Sequence, residues 1–159
     1  MFFLIIRRAV VTGSNQGIGF GTVTLLASEG VKVVLTALDE KRGLEAIEKL
    51  KDYGFSDLVV YHQLDVTDPI ALLSLPILSK PNLGNSISCT YDVNNAGIGG
   101  TFVDPEAFKA AAAAGMAEEC VKINYYGAKK MTEAFLPLLQ LSDSPRVSNI
   151  TSGGGQFMI

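Results

Sequence analysis

Short apolar runs alternate with longer amphipathic stretches along this chain. The apolar runs carry few polar residues, which is typical of parallel strands that are covered on both faces of a sheet. The stretches between them place apolar side chains at helical spacing, as in Leu44, Ile47 and Leu50. The pattern predicts strands at residues 10–12, 31–36 and 57–64, a strand that runs into residues 93–97, and a last strand at residues 146–151.

Helices are predicted between these strands, and several have recognisable ends. Gly30 follows the first helix in the position that favours a left-handed cap. Asp39 and Asp68 precede the second and third helices as N-caps, and Pro69 takes the first helical position of the third. The predicted helices cover residues 17–29, residues 40–53, a short segment that opens at residue 69, residues 105–114 and residues 115–140. One stripe of the last helix carries Met116, Cys120, Ile123 and Gly127.

This alternation predicts an α/β fold, a doubly wound parallel sheet of the Rossmann-like kind, formed by residues 1–159 as a single domain. Right-handed crossovers place the carboxyl end of every strand at one edge, where such sheets bind ligands. The segments predicted to meet at that edge are residues 13–19, 37–39, 65–66, 95–97 and 151–153.

A glycine-rich turn follows the first strand, in the sequence TGSNQGIG from Thr12 to Gly19. Glycine permits a tight turn and a close approach of phosphate, and the following helix offers unpaired N–H groups to an anion. The spacing is Gly-x3-Gly-x-Gly and differs from the G-x-G-x-x-G fingerprint. By itself the turn is compatible with a plain structural turn or with a nucleotide site, and the convergence at the sheet edge favours the nucleotide site.

The composition narrows the class of protein. With 159 residues, 48% hydrophobic and 18% charged, the chain is expected to form one globular domain. The net charge of −3 without a basic block argues against a nucleic-acid partner. Cys89 and Cys120 have neither metal-ligand nor disulfide-framework spacing, so we expect a reduced, cytoplasmic protein and no metal site. His62 lies in a predicted strand, where a structural role is expected.

The amino-terminal apolar run is too short to span a membrane. Arg7 and Arg8 follow this run, whereas a secretory signal carries its charge before the apolar segment. We therefore expect neither membrane insertion nor secretion, and interpret the run as a tail or an extension of the first strand.

Several motifs resemble one family, the short-chain dehydrogenases/reductases. The turn at residues 12–19 resembles the family's TGxxxGIG turn, and residues 94–97 resemble its NNAG motif. Asn124 matches the asparagine of the long central helix, and residues 148–152 resemble the fifth strand that ends in the catalytic serine. Residues 118–120, 124–127 and 138–146 resemble more narrowly the plant reductases of the salutaridine, menthone and neomenthol type.

The resemblance implies hydride transfer between NAD(P)(H) and a small carbonyl or alcohol substrate, of terpenoid or alkaloid kind in this subgroup. It implies Ser152 and Asn124 as catalytic residues, with Ser152 polarising the substrate oxygen and Asn124 supporting a water relay. A Tyr-x3-Lys pair completes the family's site, because a phenol needs a nearby cation to act near neutral pH. The pair is expected beyond Ser152 and does not occur there before Ile159.

The resemblance also implies the residues that bind the dinucleotide. They are Gly13, Asn15, Gln16, Gly17, Ile18, Gly19, Asp65, Val66, Asn95, Ala96 and Gly97. The second strand ends without the acid of an NAD enzyme, and Leu38 stands where the subgroup's NADP enzymes have arginine. Lys41 and Arg42 are candidates to meet a 2′-phosphate; the resemblance favours NADP, and NAD stays open. Asp65 is equally compatible with a turn, and we expect Asn95 to brace the sheet.

Residues 76–92 and 153–159 lose the resemblance, so the chain is expected to be a truncated or interrupted relative, with an incomplete carboxyl half and weak or absent activity. Tyr125 with Lys129, and Tyr126 with Lys130, have the Tyr-x3-Lys spacing, and we interpret both pairs as surface pairs of a helix.

The alternative function is that of a non-catalytic dinucleotide-binding fragment or interaction module, either a monomer or self-associating through the open edge of the fifth strand. Asp92 in a central strand is unfavourable for folding, and a hydrolase is not supported because Ser152 has no G-x-S-x-G context.

Overall fold

The computed structural model describes residues 7–75, 89–99, 106, 109–110 and 115–152. The expectations for the amino-terminal six residues, for residues 76–88, for most of the helix predicted at 105–114 and for residues 153–159 lie outside this part of the chain.

Five parallel strands form one sheet with the spatial order β3-β2-β1-β4-β5. The strands are β1 (Arg8–Val11), β2 (Lys32–Ala37), β3 (Val59–Gln63), β4 (Tyr91–Asn94) and β5 (Arg146–Asn149). Within the described residues the helices are α1 (Gly17–Ser28), α2 (Glu40–Asp52), α3 (Pro69–Leu73), α4 (Met116–Cys120) and α5 (Ala128–Leu139), with a π-helical segment (Val121–Gly127) between the last two.

Helices cover both faces of the sheet, as the apolar strands predict. On one face, Val11 and Leu35 pack with Val23 of α1 and Leu50 of α2. On the other face, the neighbouring strand positions are covered by α5 and the segment around α3; the core there includes Val10, Val34, Leu72, Met131 and Phe135. The predicted doubly wound parallel sheet is therefore confirmed.

Capping residues mark the ends of the first three helices. Gly30 has a φ of +73° and follows the C-cap Glu29 of α1, and Gly54 has a φ of +80° and follows the C-cap Tyr53 of α2. The Asp39 carboxylate accepts from the backbone N–H of Arg42 at 2.8 Å, and Asp68 accepts from that of Ile70 at 2.8 Å. Both predicted N-caps are confirmed.

The predicted single long helix differs from the observed one. The π-helical segment shifts the faces of the helix, because each of its turns takes more residues than an α-helical turn. Gly127 is buried, whereas Met116 on the predicted stripe is 38% exposed. The stripe therefore does not form one continuous buried face.

Two features distinguish the part of the sheet formed by β4 and β5. Strand β5 lies at the sheet edge and is exposed at all its positions. Asp92, a carboxylate in the adjacent strand β4, has 0% exposure. The sheet is thus apolar and fully covered around β1 and β2, and polar or open around β4 and β5.

Candidate dinucleotide site

The carboxyl ends of the parallel strands meet at one edge, as the topology requires. Segments 12–19 after β1, 37–39 after β2 and 65–67 after β3 lie along this edge. Residues 95–99 follow β4, and Thr151 and Ser152 follow β5, where both are exposed. The predicted site segments are therefore brought to the same side of the sheet.

The glycines after β1 are required by close contacts and by backbone conformation. Gly13 has a φ of +58°, and a Cβ there would lie 2.8 Å from the Cα of Ala96. Gly17 has a φ of +57°. A Cβ at Gly19 would collide with the side-chain nitrogen of Asn95. The turn after β1 and the loop after β4 consequently touch, which places Gly13, Gly19, Asn95 and Ala96 together.

The amino terminus of α1 is open toward an anion. Gln16 is the N-cap residue, and its side chain makes no capping hydrogen bond. No acidic residue lies in the first turn. The first N–H groups of a helix lack intrahelical partners and carry the positive end of the helix dipole. Asn15 is half-buried here, and Gln16 and Ile18 are exposed.

A hydroxyl that the sequence reasoning missed joins the two loops. The Thr12 Oγ1 accepts from the backbone N–H groups of Asn95 at 3.0 Å and Ala96 at 2.9 Å. The side-chain amide of Asn95 donates to the carbonyls of Thr12 and Gly13, both at 2.9 Å. Asn95 thus braces the strand ends, as predicted. A polar residue directly after an apolar strand was the signal for Thr12.

Ser14, also missed, is buried beside this network. Its hydroxyl donates to the carbonyl of Val11 at 2.7 Å and accepts from the backbone N–H of Thr36 at 3.1 Å. The glycine turn is therefore attached to β2 as well as to the loop after β4. This attachment holds the turn in one shape before any ligand arrives.

Asn124 lies in the π-helical segment and holds the loop after β4. Its Oδ1 accepts from the backbone N–H of Ile98 at 2.8 Å, and its Nδ2 donates to the carbonyl of Ile98 at 2.8 Å. A Cβ at Gly97 would lie 3.2 Å from the Asn124 Oδ1. The Asn124 carboxamide is thus engaged by backbone, and it shapes the loop beside Gly97.

Asp65 and Val66 occupy a turn after β3. The Asp65 Oδ1 accepts from the backbone N–H and the hydroxyl of Thr67, each at 2.8 Å, which is the geometry of a turn acid. Val66 is buried, and a Cβ at Gly127 would lie 2.7 Å from its Cγ2. Lys130 donates to the carbonyl of Thr67 at 3.0 Å, so α5 supports the same turn.

The turn between β2 and α2 is exposed. The Leu38 side chain is 66% exposed. Asp39 is exposed and used as the helix cap, and Lys41 and Arg42 in the first turn of α2 are exposed. The two cations are thus accessible to a ligand at this end of the sheet edge.

The two tyrosine–lysine pairs in the long helix make other contacts. Tyr125 and Tyr126 are exposed and pack edge to face with ring centroids 5.0 Å apart. Lys129 lies 3.8 Å from Glu133, while Lys130 is bound to the carbonyl of Thr67. These contacts agree with the interpretation of surface pairs.

A second polar cluster was missed as a site feature. The Asp92 Oδ2 accepts from Thr132 Oγ1 at 3.1 Å and from Asn94 Nδ2 at 3.4 Å, and Asn94 Nδ2 also donates to Asn149 Oδ1 at 3.0 Å. The Asp92 Oδ1 and the Asn94 Oδ1 have no hydrogen-bond partner in the described part of the chain. Burial raises the pKa of Asp92 to about 6, opposed by the hydrogen bonds from Thr132 and Asn94.

The described part of the chain contains neither a cluster of metal-ligating side chains nor a membrane-spanning helix. No group of three or more His, Cys, Asp or Glu side chains there could hold a metal ion. None of the described helices combines the length and the apolar character needed to cross a membrane.

The strand order and the glycine turn between β1 and α1 define a Rossmann-like dinucleotide-binding fold. The sequence profile described as short chain dehydrogenase matches residues 7–159, and the chain belongs to that family.

Plant reductases are among its similar proteins. The chain is 50% identical to (+)-neomenthol dehydrogenase of Arabidopsis thaliana, a match that covers 95% of this chain and 55% of the relative. It is 46% identical to salutaridine reductase of Papaver bracteatum, over 95% of this chain and 56% of the relative. The solved menthone neomenthol reductase of Mentha piperita superposes with a TM-score of 0.78 at 39% identity, covering 94% of this chain and 61% of that chain. The chain spans little more than half the length of the curated relatives it matches.

Proposed function

We propose that this chain binds NADP(H) at the sheet edge and belongs to an oxidoreductase that interconverts small carbonyl compounds and alcohols. The observation that carries the proposal is the open amino terminus of α1 beside Gly13 and Gly19. Its first N–H groups have no side-chain cap, and no carboxylate in the first turn repels an anion. A pyrophosphate fits this environment in charge and in hydrogen bonding.

The preference for NADP(H) over NAD(H) rests on the β2–α2 turn. Lys41 and Arg42 are exposed there, while the carboxylate of Asp39 is occupied as a helix cap. An arginine near this position accommodates a 2′-phosphate, whereas an acid binds the ribose hydroxyls of NAD. The cations therefore favour NADP(H).

In the proposed reaction the cofactor and the protein have different roles. Bound NADPH supplies the hydride for a carbonyl carbon. The α1 terminus and the loop at residues 95–97 hold the cofactor, and the Ser152 hydroxyl donates a hydrogen bond to the substrate oxygen. The names of the plant relatives support a terpenoid- or alkaloid-like substrate.

We expect the 159-residue polypeptide to bind dinucleotide and to turn over weakly. Residues 153–159 contain no Tyr-x3-Lys pair, and loss of a general acid costs about 10²–10⁴-fold in rate. The carboxamide of Asn124 is engaged by Ile98, so its proposed part in a water relay is secondary to holding the loop.

Titration calorimetry of the 159-residue chain with NADPH and NADH tests the binding proposal. We expect both to bind, NADPH more tightly. The Arg42→Ala variant should raise the Kd for NADPH by about two- to fivefold and leave the Kd for NADH unchanged, because one exposed charge near a phosphate contributes about 0.5–1 kcal/mol. Arg7→Ala, at the opposite end of the sheet, is the matched control. If neither NADPH nor NADH binds, the proposal is contradicted.

A turnover assay tests the reaction separately. We incubate the chain with NADPH and a cyclic monoterpene ketone and follow the loss of NADPH absorbance. A rate at the no-enzyme level with intact NADPH binding supports the alternative, a non-catalytic dinucleotide-binding fragment. A rate well above that level supports catalysis by this polypeptide.

One observation favours an interaction role as the second candidate. All positions of the edge strand β5 are exposed, and an unpaired edge can add a further strand. Sedimentation of the purified chain at increasing concentration tests self-association. A Val147→Lys variant should dissociate a dimer formed through this edge, and a mass that stays monomeric contradicts this candidate.

A further inference from the structure

The β2–α2 turn is held in place by strand β3. The Gln63 Nε2 donates to the carbonyl of Leu38 at 2.9 Å, and the backbone N–H of Leu64 donates to the carbonyl of Ala37 at 3.0 Å. Two successive carbonyls of the turn therefore bind to the end of β3. Only the Gln63 contact comes from a side chain, so only that contact depends on the amino acid at its position.

A second side chain of β3 supports the helix that follows. Tyr61 is two residues before Gln63 and lies on the same face of the strand. A Cβ at Gly43 would collide with the Tyr61 ring, so α2 approaches β3 closely at this point. Burial raises the pKa of Tyr61, and the charges of Glu40 and then Asp39 raise it further.

The same turn is closed from the other side by its own cap, through the 2.8 Å hydrogen bond from Arg42 N–H to Asp39. The backbone that carries Lys41 and Arg42 is thus fixed at Leu38 by Gln63, at Asp39 by the cap and at Gly43 by Tyr61. The exposed side chains of the two cations extend from a turn whose position is set by β3.

We infer that Gln63 is a positioning residue for the selection of NADP(H) over NAD(H), acting through the carbonyl of Leu38. This inference rests on the proposed function. Without the Gln63 donor, the Leu38 peptide is free to turn toward solvent, and the first turn of α2 loses one of its three fixed points. Binding of the 2′-phosphate should weaken, because it needs Lys41 and Arg42 in place. Binding of the pyrophosphate at α1 should not change.

The test uses Gln63→Met, which keeps the length of the side chain and removes the donor, and Gln63→Asn, which keeps the amide but shortens it. We expect each to raise the Kd for NADPH by about three- to tenfold, as for one lost hydrogen bond, and to leave the Kd for NADH within about twofold. Gln140→Met, at the exposed end of α5, is the control. Melting temperatures measured alongside verify that all variants are folded.

The ratio of the Kd values for NADPH and NADH separates a positioning role of Gln63 from a merely structural one. A general loosening of the fold would weaken the binding of both nucleotides to the same extent. Equal weakening of NADPH and NADH, or no change in either variant, overturns the inference and leaves the proposed function intact. If the unsubstituted chain binds neither NADPH nor NADH, the proposed function and the inference are overturned together.

Discussion

Two polar networks lie along the short strand β4, one directly after its carboxyl end and one within it, and they differ in how many of their polar atoms have hydrogen-bond partners. At the carboxyl end, Thr12 and Asn95 pair with backbone groups of both adjoining loops. Within the strand, Asp92 accepts from the hydroxyl of Thr132 and from the side-chain amide of Asn94, which also donates to Thr132. Asp92 and Asn94 each keep an oxygen without a partner in the described part of the chain.

The difference shows where the molecule is preorganised. The Thr12–Asn95 network uses neutral groups whose hydrogen bonds are all 2.9–3.0 Å long and mutually supporting, so it fixes the glycine turn. The Asp92–Asn94 network buries an ionisable group with fewer donors than acceptors, which is costly in a low-dielectric environment. The conformation of the sheet near β1 is therefore fixed by more complete hydrogen bonding than the conformation near β5.

The largest expected effect comes from the close contact at Gly13. Gly13→Val combines a positive φ with a collision against Ala96, so we expect a loss of about 2–4 kcal/mol in the free energy of unfolding and loss of dinucleotide binding by about 100-fold or more. Urea unfolding and NADPH titration measure both. Binding that survives this substitution contradicts the assigned position of the pyrophosphate.

The next effect concerns the pH dependence due to Asp92. Its folded pKa of about 6 lies above the usual 3.8, so its stabilising contribution is present below pH 3.8 and is lost as the pH rises through 6. At about 1.4 kcal/mol per pKa unit, the free energy of unfolding should fall by about 2–3 kcal/mol. Urea unfolding from pH 4 to pH 8 measures this fall.

Asp92→Asn provides the matched comparison, because it adds a donor beside Asn94 and removes the titration. This variant should be the more stable protein at pH 8 and should show a flatter pH profile, whereas Asp143→Asn at an exposed position should keep the profile. Asp92→Val should also raise the melting temperature. An unchanged melting temperature would argue against the buried position of Asp92 in β4.

Thr12→Val tests the well-bonded network and has an intermediate effect. The substitution keeps the shape of the side chain and leaves the N–H groups of Asn95 and Ala96 without their acceptor, so stability should fall by about 2 kcal/mol. Thr12→Ser keeps the hydroxyl and should stay within about 1 kcal/mol of the unsubstituted chain. Equal losses in the two variants, measured by thermal unfolding, would show that the methyl group matters as much as the hydroxyl and would contradict this prediction.

Gly21→Ala gives the smallest expected effect and has the opposite sign. Gly21 lies inside α1 with open space where a Cβ would stand. Alanine there should stabilise the protein by about 0.5–1 kcal/mol and leave NADPH binding unchanged. A loss of stability in thermal unfolding would mean that α1 is packed differently around residue 21.

The sequence alone predicts the features that local chemistry determines. Gly30, Asp39 and Asp68 mark helix ends because a positive φ or a side-chain acceptor suffices to stop or start a helix. The glycine turn and the loop at residues 95–97 are predicted to be neighbours because parallel strands end on one side.

Features that depend on distant partners were not predictable in this way. The role of Thr12 depends on two N–H groups far along the chain, and the hydrogen bonds of Asp92 come from α5 and β4. The π-helical segment contains Gly127, which lies against Val66, and Asn124, which binds the backbone of Ile98, and both partners are distant in the sequence. The roles of Ser152 and Asn124 in catalysis stay predictions.

The contact between Gly13 and Ala96 has a consequence for the order of folding. Residues 13 and 96 are far apart along the chain, with β2 and β3 between them, although β1 and β4 are neighbours in the sheet. Contacts of long sequence separation form late because the chain between them must first be closed into a loop. During synthesis, the glycine turn cannot reach its final shape before residue 97 has left the ribosome. A nascent chain arrested before β4 should therefore hold α1 and β2 without the ability to retain a dinucleotide.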